Sequence, residues 1–237
     1  MRHLLFLFFL GGALSAGAQI GAFGLRAGYA QFQQRFAVSG ASVSYDHRSG
    51  GAGSVYYRAE INPYLSLQPE LGYVQKGTKL VSADGFTAVT VDPNGGSTVV
   101  QTDIIYRSRM SYLEVPLLVM GHYGKDRWRA YVQTGPTLGY LLSASESLEA
   151  GGTTETERAD WGEDAQLNRG ELGWTVGLGG RLAIGDYYLV LDARHGRSLS
   201  NLLNADAPDE DLLFGDDVKA TNRGWILSVG AEWLFGN

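Results

Sequence analysis

The sequence predicts an all-β fold, an eight-stranded antiparallel up-and-down transmembrane β-barrel, and three observations predict it. Eight segments alternate apolar and polar residues with period two. The links between them are short and long by turns. The polar face of the segments carries charges of both signs, while the apolar face carries aromatics near the segment ends. Period-two alternation marks a strand with two unlike faces, because successive side chains leave a pleated sheet on opposite sides. A chain of 237 residues suits one such domain and is too short for two generous ones. Its 33 glycines and its 19% of charged residues favour strands and turns over helices.

The segments follow in order. The first, 21–35, sets Phe23, Leu25, Ala27 and Tyr29 against Gly24, Arg26 and Gly28. The second, 53–62, sets Val55, Tyr57, Ala59 and Ile61 against Tyr56, Arg58 and Glu60. The third, 65–79, carries Glu70 and Lys76 on its polar face, and the fourth, 103–122, carries Glu114. The fifth, 127–143, opens with Trp128 on one face and Arg129 on the other. The sixth, 171–184, is the cleanest, with Trp174, Val176, Leu178, Leu182 and Ile184 opposed to Gly173, Thr175, Gly177, Gly179 and Arg181. The seventh, 187–198, has Tyr187 on the apolar side and Asp192 and Arg194 on the polar one. The eighth, 223–235, sets Trp225, Trp233 and Phe235 against Glu232.

Short links fall at Asn62-Pro63-Tyr64, at 122–126 and at Gly185-Asp186, and long ones at 36–52, 80–102, 144–170 and 199–222. Successive turns of an up-and-down barrel lie at opposite ends, so this alternation trims one end and enlarges the other, as outer-membrane barrels do. The 80–102 link contains Asp92-Pro93-Asn94-Gly95-Gly96 between Val-rich runs, which predicts a hairpin that prolongs strands three and four.

Which face is apolar decides the solvent. A lipocalin-like soluble barrel turns its apolar residues inward, and a membrane barrel turns them outward. The polar face here has six cations and five anions: Arg26, Arg58, Lys76, Arg129, Arg181 and Arg194 with Glu60, Glu70, Glu114, Asp192 and Glu232. Near-balance is what a narrow interior requires, since charges away from water must be paired. The expected lumen network is therefore Arg26, Arg58, Glu60, Glu70, Glu114, Arg129, Arg181, Asp192, Arg194 and Glu232, with Glu70 and Glu114 paired to Arg58, Arg129 or Arg181. An eight-stranded barrel is only wide enough inside for side chains, so this network is expected to fill it. Phe23, Trp128, Tyr187, Trp225, Trp233 and Phe235 suit the membrane–water interface.

Arg2 and His3 precede the apolar run Leu4–Leu10, and Ala16-Gly17-Ala18 follows before Gln19. This three-part layout predicts a signal peptide over residues 1–18, a barrel domain over 19–237 and export to the outer membrane. The alternative is an N-terminal anchor, against which the apolar core is far shorter than the ~20 residues of a spanning helix.

Ser66-Leu67-Gln68-Pro69-Glu70-Leu71-Gly72-Tyr73-Val74-Gln75-Lys76-Gly77 and Tyr112-Leu113-Glu114-Val115-Pro116-Leu117-Leu118 carry a resemblance, with Asp192-Ala193-Arg194-His195-Gly196, Leu199, Asn201 and the closing Asn222–Gly230. The chain resembles the porin-like outer-membrane β-barrel proteins of the Bacteroidetes, the PorT-like barrel family. The resemblance covers the whole chain after residue 18 and implies an eight-stranded outer-membrane barrel. It implies little about activity.

Composition excludes several functions. With no cysteine there is no disulfide, thiolate nucleophile or Cys-based zinc site. A formal charge of −6 without Lys/Arg runs argues against nucleic acid. His3, His47, His122 and His195 show no metal-ligand spacing, and no cofactor is expected. The acidic stretch 204–217, with Asp206, Asp209, Glu210, Asp211, Asp216 and Asp217, matches no EF-hand loop and reads as a solvated loop. The leading expectation is a non-enzymatic barrel that anchors, adheres or interacts through its long loops, with membrane lipid, envelope proteins or surface polymers as partners. Behind it stand a rim-located lipid or peptide hydrolase built on His195 near Asp192, Ser198 and Ser200, and a narrow solute channel.

Overall fold

The computed structural model describes residues 20–38, 41–44, 46–91, 97–124, 127–150, 153–158, 167–204 and 218–235. The segment 1–18 expected as a signal peptide, the turn expected at 92–96 and all but the first residue of the acidic stretch 204–217 lie outside them. Among the described residues ten strands form one antiparallel sheet: β1 (Ile20–Val38), β2 (Ala41–Ser44), β3 (Asp46–Asn62), β4 (Leu65–Val91), β5 (Ser97–Tyr123), β6 (Trp128–Ala150), β7 (Thr153–Arg158), β8 (Gly170–Ile184), β9 (Tyr187–Ser198) and β10 (Lys219–Phe235). Eight of them run in the order β10-β9-β8-β6-β5-β4-β3-β1, and β10 pairs back onto β1 from Gly21↔Phe235 to Ala37↔Lys219, closing the ring. The short strands β2 and β7 hang on β1 and β6 outside the ring. Closure is what lets a sheet lie in lipid, since it leaves no backbone edge without a partner.

The short links at 62–64 and 185–186 are tight turns. Gly185 takes a positive φ of 60° between β8 and β9, the conformation that glycine adopts without steric cost. Three of the four long links are themselves largely strand. β4 and β5 remain paired as far as Val91↔Ser97, the hairpin expected from 80–102. The 36–52 link is absorbed into β1, β2 and the start of β3, and much of 144–170 into β6 and β7. The 199–222 link differs: at 199–204 the chain is irregular and is tied down by side-chain hydrogen bonds. Beyond Leu80, β4 continues for 11 residues to Val91, about 36 Å of strand at ~3.3 Å per residue.

The outer wall is apolar. Phe23, Leu25, Val55, Val119, Val132, Leu138, Leu178, Leu191, Leu227 and Val229 are all exposed, with Val132 at 64%. For a water-soluble protein such a belt is an aggregation hazard; for a barrel it is the lipid-contacting surface. Aromatics bound the belt on both sides. Phe23, Tyr57 and Phe235 cluster near the short-turn end with ring centroids 5.0–6.1 Å apart, joined there by Tyr64, Tyr123, Trp128, Tyr187 and Trp233. Tyr29, Tyr73, Tyr140, Trp174 and Trp225 form the second girdle. Among the described residues no helix is long and apolar enough to cross a membrane; the strands do so.

Candidate functional site

The other face of each strand points into the lumen, where the charged residues are held in three tiers. Nearest the short turns, Glu232 accepts Arg58 through Nε at 3.1 Å and Nη2 at 2.7 Å, Arg181 at 3.1 Å and the Tyr56 hydroxyl at 3.4 Å. Glu60 accepts from Arg58 at 2.5 Å, Arg181 at 2.8 Å and Arg129 at 3.2 Å. Tyr56 reaches this tier because Gly24 has no Cβ; one placed there would lie 2.1 Å from the phenol ring.

In the middle tier Arg194 grips Glu70 with two parallel bonds of 2.7 and 2.8 Å, the fork geometry in which guanidinium and carboxylate match best. Arg26 also pairs with Glu70, and its guanidinium stacks 4.8 Å over the Tyr56 ring. Asp192 forms an ion pair with Arg194, Nε to Oδ1 2.6 Å, and accepts hydrogen bonds from Tyr131 at 2.9 Å and Gln133 at 2.5 Å. In the third tier Lys76 lies between Glu114 at 2.7 Å and Glu171, and Asn222 donates to Glu171 at 2.9 Å. The Lys76 ammonium also faces the rings of Tyr112 and Phe32, 4.6 and 5.3 Å from their centroids.

Around this tier the lumen also holds an apolar cluster. Ala30, Phe32, Val74, Met110, Tyr112, Leu141 and Ala144 pack together, with Leu167 and Ile226 against them. Asn201 ties down the chain that follows β9: it accepts from Ala220 N at 2.8 Å and Leu203 N at 3.3 Å and donates to Val218 O at 3.1 Å. Two cavities between the tiers measure about 40 Å³ each, one beside Arg26 and Asp192 and one beside Lys76 and Glu171. That is room for a few waters at most, since one occupies ~10–15 Å³ on this measure.

Arg26, Arg58, Glu60, Glu70, Arg181, Asp192, Arg194 and Glu232 all lie buried on the inner face, with Glu114 and Arg129 partly so. Their partners differ from expectation. Glu70 and Glu114 do not meet Arg58, Arg129 or Arg181, which are taken by Glu60 and Glu232 one tier lower; Glu70 pairs with Arg26 and Arg194, and Glu114 with Lys76. Glu171, absent from the expected set, is the sixth carboxylate and balances the six cations. It stands two residues before Gly173 on the polar face of β8, so the alternation itself points to it.

The suggested His195 triad does not assemble. Asp192 faces the lumen, whereas His195 lies on the outer wall with its ring 4.9 Å from Trp225; Ser198 accepts from Asn222 N and Ser200 from Leu172 N. A different pair, Ser66 and His122, is 2.6 Å apart near the short-turn end. Ser66 is fully buried, and His122 Nδ1 has no hydrogen-bond partner among the described residues. The pair therefore lacks both the access and the orienting acid of a nucleophilic dyad.

A closed ring of strands with an apolar belt outside and paired charges inside defines a membrane-spanning β-barrel. The family model of the outer membrane protein beta-barrel domain matches residues 18–204, and the chain belongs to that family. It is an outer-membrane β-barrel protein in contact with membrane lipid. Similar solved structures include Ail, the attachment invasion locus protein of Yersinia pestis, crystallised with the heparin analogue sucrose octasulfate. Ail is 16% identical with a TM-score of 0.36, over 91% of this chain and 99% of that one. Neisserial surface protein A is 13% identical with a TM-score of 0.41, over 90% and 97%. OprG of Pseudomonas aeruginosa is 11% identical with a TM-score of 0.45, over 93% and 99%. A comparison with curated proteins gives no match.

Proposed function

We propose that this barrel is a non-enzymatic anchor, adhesion or interaction module, of the PorT-like group within its family. Its lumen is filled by Arg26, Arg58, Glu60, Glu70, Glu114, Arg129, Arg181, Asp192, Arg194 and Glu232 together with Lys76 and Glu171. It is exported by a leader over residues 1–18 that is removed before Gln19, and residues 19–237 form the mature domain. Its working surface is the set of strand extensions at the end away from the short turns, the extracellular end in barrels of this class. The observation that carries this reading is the contrast between the two ends of β4 and β5. Below, they wall a lumen obstructed by paired charges and an apolar layer; above, they continue as a paired ribbon to Val91↔Ser97. A channel needs the first feature to be absent, and a display platform uses the second.

Planar-bilayer recording of the refolded full chain tests it. The expected record has no steady conductance steps, whereas reproducible long-lived steps would return the narrow solute channel to first place.

A further inference from the structure

At the end away from the short turns the sheet has two borders of unlike composition. One is β7, which pairs with β6 and carries Glu155, Glu157 and Arg158, exposed along its whole length. Charges of this kind keep an edge from pairing with other chains. The other border is β4. Its ladder with β3 ends at Asp46↔Lys79, and from Leu80 to Val91 it has β5 alone as partner among the described residues. From Phe86 to Val91 it reads Phe-Thr-Ala-Val-Thr-Val, without charge, proline or glycine. Most of these residues favour extended backbone, and such an edge, with no charge to blunt it, is a template for a further strand. The tip of the ribbon is also short of neighbours. A register shift after Ser82 sets it apart, and β6 accompanies β5 only as far as Ile104↔Ala150, so the pairs from Phe86↔Thr102 to Val91↔Ser97 form a hairpin of two strands among the described residues. A two-stranded hairpin is marginal in water by itself, and a third strand stabilises it.

Direction selects the occupant. β4 rises from the short turn at 62–64 to Val91, and every copy in one membrane presents it the same way up. Two such edges could meet only in parallel, the less stable arrangement, whereas a strand of a protein outside the membrane is free to run antiparallel. Charge narrows the choice. The charged residues between Leu80 and Ile105 are Asp84, Asp92 and Asp103, all acidic, so a cationic neighbour is favoured. We propose that the free edge of β4 takes up an extended peptide segment of a partner protein, antiparallel to Phe86–Val91, with β-branched residues in its middle and lysine or arginine at its ends. Its backbone hydrogen bonds continue the sheet where β3 leaves it, which is recognition by strand addition. The inference rests on the reading of the strand extensions as the working surface and names what that surface binds.

Fluorescence anisotropy with the refolded full chain in neutral detergent tests the edge. The probe is a labelled peptide in which Thr-Val-Val-Gln-Thr, the sequence that pairs with β4 from the β5 side at residues 98–102, is flanked by lysines. Saturable binding is expected, with slower hydrogen exchange in β4 from Ser82 to Val91. The same peptide N-methylated at alternate residues, which cannot complete the ladder, and the same peptide flanked by glutamates should both bind at least tenfold more weakly. Of two successive strand residues one turns its N–H to β5 and the other to the free edge. One of Thr87→Pro and Ala88→Pro therefore removes an edge donor and spares the β5 ladder, and unchanged exchange of the β5 amides identifies it. That variant should weaken binding by about tenfold, the equivalent of one hydrogen bond. Replacing residues 82–102 by a short turn should abolish binding, with heat-dependent gel migration confirming that each variant is folded. Equal binding of the N-methylated or glutamate-flanked peptide, or binding that survives the short turn, overturns the proposal. So does a dimer in native mass spectrometry that the edge proline dissolves, since the edge would then belong to a second copy of this chain. Absent peptide binding beside a bilayer record without steps overturns this proposal alone and leaves the wider reading standing.

Discussion

Glu232 accepts from Arg58, Arg181 and Tyr56 at once, so its removal leaves Arg58, Arg181 and Arg129 to share the single carboxylate of Glu60 in a space without bulk water. Breaking a buried pair from one side typically costs ~3–5 kcal/mol, and Glu232→Ala is expected to lower stability by about that much in urea unfolding from lipid vesicles. Glu114→Ala should cost less, about 1–2 kcal/mol, because Lys76 keeps Glu171. Arg107→Ala breaks a pair with Glu149 in which both side chains are 36% exposed, and should cost under ~1 kcal/mol. Equal losses in all three would mean that the lumen is solvated throughout. At this scale the sequence reveals facing but not partnership. Alternation puts Arg58 and Glu232 on the same side of the wall, yet their pairing spans 174 residues and depends on the stagger of the closed ring, which no local pattern encodes. Glu171 stands at the second residue of β8, ahead of the clear alternation that begins at Gly173, so the pattern marks it only weakly.

Gly77 is the glycine within the long strands that takes a positive φ, 149°, and a Cβ there would lie 2.1 Å from Ser108 O while the Arg48 side chain crosses close by. It lies two residues below the last β3–β4 pair, Asp46↔Lys79, beyond which β4 keeps β5 alone as its partner. Gly77→Val is therefore expected to loosen the ribbon and spare the barrel. Backbone amides of β4 and β5 beyond Lys79 should exchange with deuterium faster, while those of β1 and β10 are unchanged. A uniform rise across all strands would show instead that ribbon and barrel unfold as one unit. Elements are where the sequence was most legible. All eight predicted segments are strands of the ring, since each must show lipid one face and the lumen the other, and that division is written in alternate residues such as Phe23, Leu25 and Tyr29 against Gly24 and Arg26. Lengths were less legible. Above the belt neither face meets lipid, the alternation fades, and Ser- and Thr-rich runs such as 97–103 resemble loops although β5 includes them.

The whole molecule divides into a ring and the ribbons it carries, and the two should be separable. Replacing residues 82–102 by a short turn between Val81 and Asp103 leaves the β1–β10 closure and every lumen tier in place. The shortened chain is expected to keep its heat-dependent shift in gel migration; loss of the shift would show that the ribbon helps to hold the ring shut. The lumen tiers also bear on the order of events in time. β10 is the last strand of the ring to be made, and it brings Glu232, the bidentate partner of Arg58 on β3. Arg181 and Arg194 on the later strands likewise answer Glu60 and Glu70 on the earlier ones. A chain halted before its final strand would hold Arg58 without its main counter-charge and two strands with open edges, so half-finished copies have no resting state in lipid. The two lower tiers thus register completeness: their charges are matched only when strands from both halves of the chain are present.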